Sequence, residues 1–529
     1  MHKDCFARQE YIDIVEKRIL DLKEGYRQNI AIIGSEHIGK TTIIFNLLDK
    51  FYDSYIVPVY LEVRSEGIDS FSRRFIGVLL YNFLNSANIP LREDLEYLLA
   101  KSSGYIPKTT AKIKNILASL CKRKKEGIFT ELLSLCDSIH EETNKFCVVV
   151  FDEFNNLETL GVKNIYNDWS KLLMLQKNTM YIVLSSFKFK TRCLLSKELS
   201  LLFGNFLVLE IDSFDSKTSA RYLRASLGEY RMQKYQEDFI IHFTGGFPFY
   251  LEVITKALLQ SPQVPLVDIL EDVLFESSGI LNQKFMNFLI NFSRVQGGEN
   301  YVHLLYLISS GQNKIKDIAH QLKITKKELD VRTNYLLGID ALARNGDFLK
   351  INDRIFGFWL KFVYREKMHS FTFDAKNQKT LFRKNIESLI SDFLESANRP
   401  LIDRLRDLFN LFCDDSLQVE KKKLKLSHFR EIKRVEFERK GIREGLVCRS
   451  QDSLWIVAIK NDLLTESDVI EFSQECKKYR YKLEKKIIVA SSDIEDSSLL
   501  RALEEKILTW DLNKLNSILD LYSRPRVVA

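Results

Sequence analysis

Short, almost unbroken apolar runs recur along the first part of the chain, at residues 29–33, 55–63, 146–153, 181–184 and 206–211. Runs of this length, rich in Val and Ile, predict buried strands rather than helices. Over 42–48 and 70–85 the apolar spacing becomes that of a helix with one buried face. Residues 88–145 keep the helical spacing but are lysine-rich, and predict a solvated helical insertion. Strands alternating with helices predict an α/β fold built on a parallel sheet covered on both faces, with any ligand at the carboxyl ends of its strands.

From residue 215 the strand signals stop. Helical spacing fills 216–227, 234–243, 249–260 and 266–292, broken by the turn Thr244-Gly245-Gly246-Phe247-Pro248, and predicts a helical lid. Helices at 302–309, 315–322 and 326–337 lead into apolar stretches on either side of Asn345-Gly346, a hairpin signal. That succession predicts a winged helix-turn-helix whose third helix carries Lys326, Lys327 and Arg332 towards a DNA groove. Helices over 380–412, the basic stretch Lys421-Lys422-Lys423 and strands at 429–437, 446–449 and 453–460 follow. With a helix at 467–481, a strand at 486–490, a helix at 497–506 and the segment 507–510, they predict a further α/β domain. The expected division is a core at 1–214, a lid at 215–296, a winged helix-turn-helix at 297–370, and a helical linker with the last domain at 371–529.

Composition alters this picture little. Hydrophobic residues at 45% and charged residues at 28% are those of an ordered globular chain, and a net charge of +7 permits contact with nucleic acid without demanding it. The eight cysteines form no C-x-x-C pair, so neither a zinc site nor a disulfide framework is indicated, and a reducing cytoplasm is the expected location. No apolar run approaches the roughly 18 residues of a membrane span, and residues 1–5 do not begin a signal peptide. A soluble chain without membrane partners is expected.

Candidate chemistry is concentrated at the strand ends. Gly34-Ser35-Glu36-His37-Ile38-Gly39-Lys40-Thr41 fits the phosphate-cradling pattern G-x-x-x-x-G-K-[ST], placed between a strand and a helix start as that loop requires. Gly34 and Gly39 let the backbone curl around phosphate, and the N–H groups of Ser35 and of the helix start at Thr41 and Thr42 face the anion. Lys40 reaches the β and γ oxygens, and the Thr41 hydroxyl ligates Mg²⁺. The run Phe146-Cys147-Val148-Val149-Val150-Phe151-Asp152-Glu153 ends abruptly in two carboxylates. Asp152 is expected to hold Mg²⁺ through its water shell and Glu153 to polarise the attacking water.

These residues together resemble the archaeal-type P-loop ATPases of the STAND and AAA-like class, which carry a winged helix and a C-terminal restriction-endonuclease-like domain. The resemblance rests on Phe6-Ala7-Arg8-Gln9-Glu10, the glycine loop, Val150-Phe151-Asp152-Glu153-Phe154, and Gly245-Gly246-Phe247-Pro248-Phe249-Tyr250-Leu251. The aromatic stretch from Ile351 to Phe362 adds to it. It implies ATP as the nucleotide, a core sheet of the additional-strand type with Ser185-Ser186 as a polar sensor, and nucleotide contacts from Arg8 and Pro248, the proline beside the adenine. It also implies slow or gated hydrolysis, with the nucleotide state acting as a conformational switch.

Two departures qualify the resemblance. Gly204-Asn205 stands where relatives often show glycine and arginine, which removes one arginine finger and leaves Arg192 or Arg221 as substitutes. In the last domain Ala458 replaces the glutamate of an E-x-K metal site and leaves Lys460 nearly alone, so a degenerate, non-cleaving nuclease fold is expected. The leading expectation is therefore an ATP switch that engages double-stranded DNA, a protein partner or further copies of itself. The alternatives are an ATP-gated nuclease using Glu444 and Asp462, and a DNA-binding initiator or regulator resembling the origin-recognition ATPases.

Overall fold

The computed structural model describes residues 6–51, 53–85, 91–123, 125–199, 206–295, 297–369, 374–419, 422–438, 441–479 and 482–528. The chain forms two compact units, residues 1–212 with 338–340, and residues 213–337 with 341–529.

In the first unit the elements run α1 (Gln9–Lys23), β1 (Asn29–Ile33), α2 (Lys40–Lys50), β2 (Ile56–Glu62), α3 (Ile68–Asn85), α4 (Leu95–Ser102), α5 (Pro107–Cys121) and α6 (Ile128–Thr143). They continue with β3 (Phe146–Asp152), α7 (Ile165–Leu175), β4 (Thr179–Ser185), α8 (Lys188–Lys197) and β5 (Phe206–Glu210). The five strands form one parallel sheet in the order β2-β3-β4-β1-β5. Every residue of β1 and β4 is buried, as their continuous apolar runs require in a sheet covered on both faces. The order places β4 between the strand that enters the glycine loop and the strand that ends in Asp152.

The lysine-rich stretch departs from the expected solvated insertion. Helices α5 and α6 turn Ile113, Ile116, Leu120, Phe129, Leu132 and Leu133 into the main core, against sheet residues such as Val59, Phe151 and Tyr181. Lys112 and Lys114 are exposed. Lysines occupy the outward positions and hide a buried stripe at helical spacing.

The second unit begins with α9 (Ser216–Leu227), α10 (Lys234–Thr244), α11 (Pro248–Gln260), α12 (Leu266–Leu274) and α13 (Ile280–Ser293). Where one helix over 266–292 is expected there are two. The turn between them closes at Gly279, where a Cβ would lie 2.5 Å from the Asp272 carbonyl oxygen and 2.7 Å from that of Val273. Next come α14 (Gly298–Ser309), α15 (Ile315–Leu322), α16 (Lys326–Gly338) and an antiparallel hairpin of β6 (Leu342–Asn345) and β7 (Phe348–Ile351). Asn345 pairs with Phe348, so the turn residues are Gly346, at φ +60°, and Asp347. The turn is thus displaced by one residue from Asn345-Gly346, with glycine at the first turn position, where a positive φ suits it.

After α17 (Arg354–Trp359), α18 (Arg365–His369), α19 (Ala375–Ala397) and α20 (Leu401–Phe409), the chain makes a hairpin of β8 (Asp415–Val419) and β9 (Lys422–Leu426). Lys422 and Lys423 of the basic stretch therefore open the second strand of a hairpin, and Lys421 lies outside the described residues. A mixed sheet follows, β10 (Glu431–Glu436), β11 (Glu444–Arg449), β12 (Leu454–Lys460), β13 (Leu483–Ala490) and β14 (Ile507–Trp510), in that order. Its helices are α21 (Glu466–Cys476), α22 (Asp496–Glu504) and α23 (Leu512–Leu521). Its first three strands are antiparallel and its last three parallel. Apolar residues cover both faces, with Trp455 and Trp510 in one core and Ile456 and Phe472 in the other.

Candidate functional site

The glycine loop leaves β1 at Ile33 and enters α2 at Lys40. Its two glycines do different work. At Gly34 a Cβ would lie 2.8 Å from the Ile211 carbonyl oxygen and 2.8 Å from the Ile38 side chain, so the loop can pass here only without a side chain. Gly39 caps α2 at φ +105° and faces open space, leaving the N–H groups of the helix start accessible to an anion.

Lys40 is 5% exposed, and its ammonium bonds the carbonyl oxygens of Gly34 and Ser35, each at 3.0 Å, and the Ser186 hydroxyl at 2.9 Å. Burial lowers its pKa, while Glu153 and Asp152 oppose that shift. The Thr41 hydroxyl donates to Asp152 Oδ2 at 2.7 Å, and the Tyr60 hydroxyl donates to the same oxygen at 2.8 Å. The other oxygen of Asp152 accepts from the Glu153 N–H at 2.9 Å. Thr42, in the first turn of α2, gives its carbonyl to Asn46 at 3.0 Å.

Glu153 adopts φ +50°, a conformation uncommon for a residue with a side chain, and caps the short helix Phe154–Leu160. Its carboxylate accepts from the Ser186 hydroxyl, and burial raises its pKa, against the opposing effects of Ser186 and Lys40. Lys40, Ser186 and Glu153 thus form one polar chain at the carboxyl ends of β3 and β4.

The two serines of the expected sensor are used differently. Ser185 is fully buried, and its Oγ accepts from Asn155 Nδ2, from Thr191 Oγ1 at 2.6 Å and from the Phe187 N–H at 3.0 Å, which fixes the turn into α8. Ser186 places its hydroxyl on Lys40 and Glu153, whereas Ser185 meets the glycine loop only through its carbonyl, which accepts from the Gly34 N–H at 3.1 Å. Tyr60, Asn155 and Thr191 were not singled out from the sequence. The available signal for Tyr60 was register, since β2 pairs Glu62 with Asp152 and the pleat sends Tyr60 to the same face as Glu62.

Arg8 is 8% exposed, and its guanidinium donates to the Asp212 carbonyl at 2.6 Å, next in the chain to the Ile211 carbonyl that backs Gly34. Arg192 is ion-paired with Glu210. Gly204 and Asn205 lie outside the described residues.

The remaining sequence-predicted residues belong to the second unit. Pro248 occupies the first turn of α11, after Gly245 and Gly246 at φ +65° and +76°. A Cβ on Gly246 would lie 2.1 Å from the Phe214 carbonyl oxygen, so that turn also depends on glycine. Lys326 and Lys327 are exposed at the start of α16, whereas Arg332 is held by Glu328 at 2.8 Å. Arg221 is exposed on α9. Lys460 donates to the Gly441 carbonyl at 2.9 Å and pairs with Asp468 at 3.1 Å, and Glu444 pairs with Arg434 at 3.3 Å. Among the described residues no group of three or more His, Cys, Asp or Glu side chains is arranged to hold a metal.

The parallel sheet, the interposed β4 and the glycine loop at the start of α2 give the first unit the fold of the P-loop nucleoside triphosphatases. A solved structure of a Walker-type ATPase from Pyrococcus abyssi is similar to this chain, with a TM-score of 0.51 and 16% identity over 68% of this chain and 96% of that one. Weaker similarities are to the ORC2 protein of Aeropyrum pernix (TM-score 0.39, 12% identity, 70% of this chain and 97% of that one) and to Cdc6p of Pyrobaculum aerophilum (0.31, 13%, 73% and 96%). No family model matches the sequence, and no curated protein matches it. Among the described residues no helix is long and apolar enough to cross a membrane.

Proposed function

We propose that the first unit binds Mg²⁺ and a nucleoside triphosphate, ATP by the resemblance of its motifs, and hydrolyses it slowly as a conformational switch. The observation that carries this reading is the meeting of Thr41 and Asp152 at 2.7 Å beside the buried Lys40 ammonium. A hydroxyl and a carboxylate are the hard oxygen donors Mg²⁺ selects, and phosphate oxygens and water complete its shell, so few protein ligands are needed. When bound, the ion would neutralise charge on the β and γ oxygens.

The chain's own groups divide the remaining work. Lys40 exchanges its loop carbonyls for phosphate oxygens, and the N–H groups around Gly39 hold the anion. Ionised Glu153 accepts a proton from water as that water attacks the γ-phosphorus and the bond to the β-phosphate oxygen breaks. Ser186, bonded to both Lys40 and Glu153, transmits the presence of the γ-phosphate to the base. On this reading the lid, the winged helix-turn-helix and the degenerate endonuclease-like domain of the second unit are the parts the switch controls, and Pro248 and Arg8 complete the nucleotide contacts.

Titration of the full chain with a fluorescent ATP analogue and Mg²⁺ tests the reading. Lys40→Ala should weaken binding by roughly tenfold or more, since a hydrogen bond to a charged group contributes about 1.5–3 kcal/mol. Unchanged affinity, or no affinity in the parent protein, would overturn it.

The exposed Lys326 and Lys327 favour a second reading, in which α16 contacts duplex DNA. Lys326→Ala/Lys327→Ala should then weaken binding of a mixed-sequence duplex and reduce the slope of log affinity against log salt by about 2, one per lost phosphate contact. An unaltered slope would sink that reading.

A further inference from the structure

The second unit carries an open cleft of about 670 Å³ between α10, the end of α14, β7, α17, α19, α20 and the tail after α23. This volume lies in the range of small-molecule sites. Charge gives it its character. Lys350, Arg354, Lys361, Arg399, Arg404 and Arg524 all line it.

Five carboxylates line it as well, but they are unevenly placed among the six cations. Asp520, 3% exposed, receives Lys350 Nζ at 2.7 Å, Arg354 Nη1 at 2.5 Å and Arg526 Nη2 at 2.6 Å. One carboxylate cannot neutralise three cations, so positive charge is left over in a half-buried wall. Arg404 gives Nη2 to the Pro525 carbonyl, a neutral acceptor, at 2.7 Å. Burial, reinforced by Arg399, pulls the Arg404 pKa down to about 10, and it remains charged at neutral pH. Arg399 is matched by Asp407 at 2.7 Å. Of the other lining acids, Asp353 caps α17 through the Phe356 N–H at 2.9 Å and accepts from the Tyr250 hydroxyl, while Asp392 and Glu395 are exposed on α19.

The opposite character is present too. Phe243, Phe358 and Phe362 line the same space, and His242 beside them is held neutral by burial and by Arg354. Guanidinium forks match phosphate oxygens two at a time, and cations clustered around a single carboxylate favour a phosphate over a carboxylate ligand. We propose that this cleft binds a small phosphorylated molecule, with Arg404 and Arg524 on its phosphate oxygens and the phenylalanine rings against its organic part. The site is independent of the glycine loop, which belongs to the other unit.

Calorimetric titration of pyrophosphate into the full chain carrying Lys40→Ala, in low salt without divalent ions, tests this with the glycine loop weakened. One saturable site is expected, weakened at least tenfold by Arg404→Gln/Arg524→Gln, because a hydrogen bond to a charged group is typically worth about a factor of ten or more. Since Arg404 also holds the tail, Lys361→Gln provides a second variant that breaks no hydrogen bond to the tail, with an expected weakening of roughly fivefold. AMP should bind more tightly than inorganic phosphate. Absence of a saturable site, or equal affinity in both variants and the parent, overturns the proposal, and AMP binding no tighter than phosphate overturns the role given to the rings.

Discussion

Glu153 shows how a single residue carries opposing demands. Its backbone is held at φ +50° and the residue is half-buried, yet the proposed chemistry requires it ionised. Burial raises its pKa, so the protonated form persists to higher pH than the ordinary glutamate value of about 4.3. The acidic limb of the ATPase rate against pH should therefore lie above that value, with activity falling as pH drops through it. In Glu153→Gln the rate should fall by about 10²–10⁴-fold, the usual contribution of a general base, and the limb should vanish; a limb that persists in the variant would assign the titration elsewhere. The loop from Gly34 to Thr41 and the pair Asp152 and Glu153 stand out in the sequence because a fixed motif spacing marks them, and the structure brings Lys40, Thr41, Asp152 and Glu153 together. Tyr60, Asn155 and Thr191 do not stand out, because they act through tertiary contacts across strands and turns that no local spacing encodes.

At the scale of elements, the strands of the first sheet were legible from continuous apolar runs, and their parallel arrangement followed from the helices between them. Helices α1, α7, α8, α17, α18 and α23 were not identified. Among them α8 has little one-sided character, with only Thr191 and Leu194 buried, so periodicity had almost nothing to report. The lysine-rich α5 and α6 misled in the other direction, because charge on the outer positions outweighed a regular buried stripe. At 266–292 the helical spacing continued across a break that only the close approach of backbone at Gly279 enforces. The hairpin of β6 and β7 was anticipated, but its surroundings were not. Its tip is bonded to β8, with the Asp347 N–H donating to the Ser416 carbonyl at 2.8 Å and the Gln418 N–H to Asn345 Oδ1 at 2.6 Å. Gly346 is required there, since a Cβ would lie 1.9 Å from the Ser416 carbonyl oxygen.

On the scale of the whole molecule, three ion pairs of the second unit meet at Asp520. This carboxylate ties α17, β7 and the C-terminal tail together through Arg354, Lys350 and Arg526. Its pKa is held well below the usual carboxylate range; burial opposes the shift, and Lys350, Arg354 and Arg526 overcome it. A depressed pKa contributes stability that is present above the unfolded value of about 3.9 and is lost as pH falls through the folded one. Asp520→Asn should therefore cost about 1–3 kcal/mol at neutral pH by denaturant unfolding of the second unit, because three half-buried cations lose the buried carboxylate they share. The difference from the parent should shrink below about pH 3.9, and a difference constant down to pH 2 would contradict the assignment. None of this network was visible in sequence, where Lys350 and Asp520 stand far apart.

The hairpin tip bonded to β8 has a consequence for any nucleic acid that would use it. A surface already occupied by the chain's own strand must first be vacated, so the apparent affinity of an outside ligand is reduced by the fraction of molecules in which the tip is released. Removing the bonds between Asn345 and Gln418 would then tighten such binding without adding a single contact to the ligand.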